Sequence, residues 1–148
     1  MEARNVESMA ILSALTEADW SRPVYSAEAA GWLVRDVIAH LADSERGLVS
    51  QMQRLVAGGQ TIPPDFDLNR WNRRSVEKRA GKTVTEHLAE IQDAFHQALA
   101  LLETVTDSDL DKVGRHPRGD EPTLEVFFRH LANHRAGHAA DIKASAER

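Results

Sequence analysis

Between Leu33 and Leu55 the inward-facing positions recur at steps of three and four, as Leu33, Val37, His40 or Leu41, Ser44, Leu48, Met52 and Leu55, and the run stops at Gly58-Gly59. That spacing draws one apolar stripe along a helix of roughly six turns, and glycine is the residue that most readily ends one. A one-sided helix of this length gains its stability by burying the stripe against other elements. Sheet is not what the rest of the chain offers. The 21 alanines and 14 leucines outweigh 11 valines and five isoleucines, a balance that favours helix, and no alternating run of useful length appears.

The remaining helices follow from the same periodicity. One is predicted over about Val6 to Leu15, broken at Asp19-Trp20-Ser21-Arg22-Pro23, where proline disfavours helix in the residue before it. The second covers about Leu33 to Ala57. Thr61-Ile62-Pro63-Pro64-Asp65 reads as a loop and Leu68 to Arg79 as a helical segment. Thr83-Val84-Thr85-Glu86 has capping-box spacing and opens a helix that shows Leu88, Ile91, Phe95, Leu99 and Leu102 on one side. Asp107 to Pro122 is a polar connector. The last helix begins near Thr123, with Phe127, Leu131, His134, His138 and Ile142 on one stripe. Four substantial amphipathic helices predict an all-α four-helix bundle, and a length of 148 residues suits a single domain over 1–148.

Composition narrows the chemistry. With no cysteine, disulfides, a cysteine nucleophile and thiolate zinc sites are excluded, so any metal is held by nitrogen and oxygen. The N-terminus enters no apolar leader segment and no apolar run approaches bilayer length, which predicts a cytoplasmic protein without membrane association. The net charge of −5 argues against a surface built for nucleic acid. Arg70, Arg73, Arg74, Lys78, Arg79 and Lys82 form a local basic stretch broken only by Glu77. It matches no recognition motif, and a solvated helix face accounts for it.

Seven histidines are the distinctive feature. His130, His134 and His138 stand four apart, so neighbours in the series project from adjacent turns of one helix, and such a pair can close on one metal ion. His134 belongs to either pair. His138 shares the apolar stripe, whereas His130 sits to one side. The best third donor is His40, in the middle of the apolar face of the second helix, where an unpartnered imidazole would be costly. Asp43, Ser44 and Asn133 are polar neighbours of this set. His87 and His96 are expected at surface or helix-flank positions, and His116 in a loop that could border a pocket.

In order and spacing, several segments resemble the DinB-like superfamily. They are Ala14-Leu15-Thr16-Glu17-Ala18-Asp19-Trp20, Gly31-Trp32-Leu33-Val34-Arg35-Asp36-Val37-Ile38-Ala39-His40-Leu41, Phe66-Asp67-Leu68-Asn69-Arg70-Trp71-Asn72 and His130-Leu131-Ala132-Asn133-His134-Arg135-Ala136-Gly137-His138. That group includes YfiT-type bundles, bacillithiol S-transferases and, more remotely, mycothiol-dependent maleylpyruvate isomerases. The resemblance implies a DinB/YfiT-like up-down-down-up topology with a long crossover, a zinc or nickel ion on His40, His134 and His138, and a homodimer. Two positions depart from the pattern. Asp141-Ile142 stands where many members carry Gln-Ile, and Leu33 stands where Ser or Thr usually follows the tryptophan.

The histidine set predicts a metal-dependent enzyme, and the resemblance implies that it is a thiol S-transferase, or a hydrolase if water replaces the thiol, in which the ion activates the bound thiol or water. The thiol would be a small molecule such as bacillithiol or mycothiol, with Arg70, Arg73 and Arg74 as candidate contacts for its carboxylates. The alternative is a non-catalytic metal-binding or stress-response module.

Overall fold

A computed structural model describes residues 1–25 and 31–147. Its elements in chain order are α1 (Glu2–Ser13), β1 (Pro23–Val24), β2 (Trp32–Leu33), α2 (Val34–Val56), α3 (Leu68–Arg79), α4 (Val84–Leu102), α5 (Asp107–Leu110) and α6 (Leu124–Ser145). The chain is mostly helical, and α1, α2, α4 and α6 make a four-helix bundle. The two strands pair antiparallel, Pro23 with Leu33 and Val24 with Trp32, and tie the segment after α1 to the start of α2.

Two groups of buried side chains fix the helix directions. At one end, Leu12 from late α1 and Ala139 and Ile142 from late α6 meet Val34, Val37 and Ile38 from early α2 and Val84 from the first turn of α4. At the other end, Leu124, Phe127 and Phe128 from early α6 meet Leu48, Met52 and Leu55 from late α2 and Ala94 and Ala98 from later α4, with Met1 packed against them. Helices α2 and α4 therefore run parallel, and α1 and α6 run opposite to both, which is the up-down-down-up order. Parallel neighbours require a crossover, and residues 57–83 supply it, with α3 packed on α2.

Local chemistry sets the helix ends. Gly58 has φ of +79°, its N–H donates to the Leu55 carbonyl at 3.1 Å, and the Gly59 N–H donates to the Arg54 carbonyl at 2.8 Å. These two bonds are a Schellman stop, and the left-handed residue they need is the glycine. At the start of α4, Thr83 Oγ1 accepts from the Glu86 N–H at 3.2 Å, and Glu86 Oε2 accepts from the Thr83 N–H at 2.7 Å, completing the capping box. At the start of α2, Leu33 has no side-chain acceptor, so only the return half survives: Asp36 Oδ2 accepts from the Leu33 N–H at 2.9 Å.

Three local expectations need correction. Helix α1 begins at Glu2, about one turn before the start that the apolar pattern alone suggests, and ends at Ser13, slightly before Leu15. The polar connector holds the short helix α5, capped by Thr106 and Asp109, and a bridge between Val113 and Thr123 leads into α6. The basic stretch is not wholly a solvated face. Arg79 is buried, donates from Nε to Asp43 Oδ1 at 3.0 Å and also pairs with Glu90, which Lys82 meets from the other side. These pairs fasten α3 to α2 and α4.

Candidate metal centre

His40 on α2 and His134 and His138 on α6 converge because the two helices pack antiparallel. His134 Nε2 lies 3.2 Å from His40 Nε2 and 3.2 Å from His138 Nε2, and ring nitrogens from all three residues fall within 4.8 Å of one another. A tetrahedral zinc ion with Zn–N bonds of about 2.0–2.1 Å would space its nitrogen ligands by roughly 3.3–3.4 Å, so the side chains present fit such an ion. A proton on His134 Nε2 can bridge only one of the two 3.2 Å gaps. A cation can accept lone pairs from all three nitrogens.

The electrostatics agree with that use. Burial, followed by the neighbouring His138, His40, His130 and His116, pushes His134 well below the ordinary histidine range. It is therefore a neutral imidazole at pH 7, the form that binds metal. Trp32 packs on His40 with ring centroids 5.0 Å apart, limiting the orientations of that imidazole. Asp141, at the position of departure from the family pattern, places Oδ2 4.0 Å from His138 Nδ1, within ion-pair range but beyond a hydrogen bond.

Beside the centre lies a cleft of about 1190 Å³, lined among others by His40, Ser44, Trp71, His116, His130 and His134. Three protein ligands would leave coordination positions for a small molecule, and the cleft opens beside them. His130 stacks on His134 at 5.4 Å and 26° without joining the converging nitrogens. His116 is buried and edge-on to His130 at 4.5 Å. Its Nδ1 accepts from the Arg118 N–H at 3.3 Å, and burial first, then His130 and Arg118, lower its pKa to about 4. The proton of the neutral ring therefore sits on Nε2.

The other candidates separate. Arg70, Arg73 and Arg74 are exposed on α3 and do not line the cleft, whereas Arg46, Arg54, Lys78 and Arg118 do. His87 is buried, contrary to the surface position expected, with Nδ1 3.5 Å from Glu90; His96 is exposed, as expected. Asp43 is engaged by Arg79, Ser44 donates to the Leu41 carbonyl at 3.2 Å, and Asn133 is exposed.

Sequence reasoning missed Glu45 and Arg135, both fully buried and paired with each other. The signal was present: Glu45 stands between Leu41 and Leu48, and Arg135 between Leu131 and His138, on stripes that otherwise face the core. A charge at such a position on each of two facing helices is a cue for a pair.

The DinB superfamily model matches residues 2–142. No curated protein matches the sequence significantly. Among solved structures, a mycothiol-dependent maleylpyruvate isomerase superposes with a TM-score of 0.79 at 12% identity, over 95% of this chain and 57% of that one. This chain thus spans little more than half of the isomerase. YfiT from Bacillus subtilis, described as a probable metal-dependent hydrolase with an unusual four-helix bundle topology, superposes with a TM-score of 0.77 at 24% identity, over 99% of this chain and 83% of that one. At these identities the likeness is one of fold.

Proposed function

The chain belongs to the DinB superfamily, and on that premise we propose that it is a metal-dependent enzyme in which His40, His134 and His138 hold a divalent zinc or nickel ion. The observation that carries the reading is the convergence of three imidazole nitrogens from two helices beside an open cleft. When bound, the ion lowers the pKa of a coordinated thiol or water and so supplies a nucleophile at neutral pH. A chain without cysteine draws its sulfur from a small molecule. That the isomerase of similar fold is mycothiol-dependent supports a low-molecular-weight thiol such as mycothiol or bacillithiol, and thiol S-transfer as the reaction, with hydrolysis as the course taken when water stands in for thiol.

The chain's own residues do the rest. Trp32 and the packing of α2 on α6 orient the imidazoles. His116 holds a proton on Nε2 at the cleft wall, and Arg46, Arg54, Lys78 and Arg118 replace Arg70, Arg73 and Arg74 as the cations placed to receive carboxylates of the thiol. We read the protein as a homodimer of one-domain chains.

The test is metal content together with turnover. Purified protein should hold about one equivalent of zinc or nickel and transfer bacillithiol or mycothiol to a reactive halide or epoxide. Metal uptake without either transfer or hydrolysis would make the protein a binding module, and loss of no metal in His134→Ala would overturn the assignment of the centre.

A further inference from the structure

Helix α3 is built the wrong way round for a helix that only covers a core. Its buried residues are Ser75 and Arg79, while its largest apolar side chain, Trp71, is 50% exposed. Single exposed apolar residues are ordinary on protein surfaces, but Trp71 is placed on a particular wall. It lines the same cleft as His40 and His134, and Phe66, from the crossover just before α3, lines it too. The two rings lie 5.6 Å apart with planes at 45°.

Their placement is held by the backbone. Asp67 caps α3, accepting from the Arg70 N–H at 2.9 Å, and its carbonyl accepts from the Trp71 N–H at 3.0 Å. The preceding Pro63 has a restricted φ and accepts from the Phe66 N–H at 3.3 Å. Two aromatic rings inclined on a cleft wall suit a flat aromatic group, which can stack on one face while meeting the other ring edge-on. A saturated group of the same size gains the apolar burial without that geometry. Of the acids lining the cleft, Glu90 is paired with Arg79 and Lys82 and Asp43 with Arg79, while Asp93 accepts from the neutral Gln97 amide and is outnumbered by the remaining lining cations. This leaves Arg54, Lys78 and Arg118 to favour a negative substituent.

We propose that Phe66 and Trp71 form a stacking subsite for the planar aromatic part of an anionic small molecule acted on at the three-histidine centre. The proposal rests on the reading of that centre as the reactive one, but the subsite can be tested apart from it. The full-length, zinc-treated protein is titrated calorimetrically with 2-naphthoate and with its saturated counterpart, decahydro-2-naphthoate, which carry the same charge. Wild type should bind the aromatic probe about fivefold more tightly. Trp71→Ala and Phe66→Ala should each bring the ratio close to one, and Trp71→Phe should keep most of the preference. Equal binding of the two probes by wild type, or a preference that survives Trp71→Ala, overturns the subsite. Zinc content is read on the same samples. A protein that takes up no zinc but keeps the Trp71-dependent preference supports the subsite and defeats the metal reading, whereas full zinc content without any preference does the reverse.

Discussion

Arg135 on α6 and Glu45 on α2 form a two-pronged ion pair at the centre of the bundle, with Arg135 Nε donating to Glu45 Oε1 at 2.8 Å and Nη2 facing Oε2. The same guanidinium donates to the Asn5 side chain on α1 and, at 3.3 Å, to the Ile91 carbonyl on α4. It also lies over the Phe95 ring, 5.4 Å from its centroid. One side chain of α6, next in sequence to His134, thus touches the other three helices of the bundle. Burial raises the Glu45 pKa and Arg135 opposes that rise, so the pair is interdependent.

Removing either partner leaves a buried group without its counter-charge. Arg135→Met and Glu45→Leu should each destabilise the protein by about 3–5 kcal/mol, and the double substitution should recover much of the loss because two apolar groups need no compensation. Urea unfolding of the three variants checks this, and a double variant no better than the singles would contradict the account.

The four-residue spacing of the last helix makes His130 and His138 rival partners for His134, and geometry separates them. Elemental analysis after dialysis should find most of the zinc retained by His130→Ala. Less than about a tenth should remain in His134→Ala or His138→Ala, in keeping with the loss of one of three ligands. The reverse order between His130 and His138 would mean that the helix face has been misassigned.

Acid should loosen the junction of α3 with α4. Although partial burial alone would raise it, hydrogen bonds from Lys82 and Arg79 hold Glu90 down at about 2, below its usual 4.5. A depressed carboxylate contributes stability that is complete above the unfolded pKa and is lost as pH falls through the folded one. The stability difference between wild type and Glu90→Gln should therefore be constant above about pH 5.5 and shrink from there to about pH 2. Urea midpoints at a series of pH values measure it, and a difference that stays constant down to pH 2.5 would refute the linkage.

Gly114 sits where its loop presses on α2. A Cβ there would lie 2.8 Å from Thr61 Cγ2 and 3.1 and 3.2 Å from the Leu55 methyls, and Thr61 Oγ1 donates to the Arg115 carbonyl at 2.7 Å. Gly114→Ala should cost about 1–3 kcal/mol by overpacking and displace the segment carrying His116. Thermal unfolding checks the first effect, and the change in the His116 ring proton shifts checks the second.

Much of the fold was legible because its signals are local. The stripe on α2, the Schellman stop at Gly58-Gly59 and the Thr83 capping box each depend on residues within a turn or two of one another, and α3 fell on Leu68–Arg79 for the same reason. The limits of α1 were less legible. Met1 offers no side-chain cap, and the first turn is held by packing against the far end of the bundle rather than by its own pattern. His87 was misplaced because one histidine on an amphipathic helix does not say whether anything covers it, and here it is buried, with Glu90 of the same helix 3.5 Å from its Nδ1.

The sequence by itself determined that the chain is helical, where α2 starts and stops and where α4 and α6 begin, and that any metal donors are nitrogen and oxygen rather than thiolate sulfur, because these depend on composition and on spacings of three and four. Only the tertiary structure decided that Arg79 and Arg135 are buried and paired with acids, that Arg70, Arg73 and Arg74 do not line the cleft, and that Trp71 does. Each of those depends on which surface of another helix lies opposite. A helical period sets the direction in which a side chain leaves its own axis, and the packing of the bundle decides what it meets there.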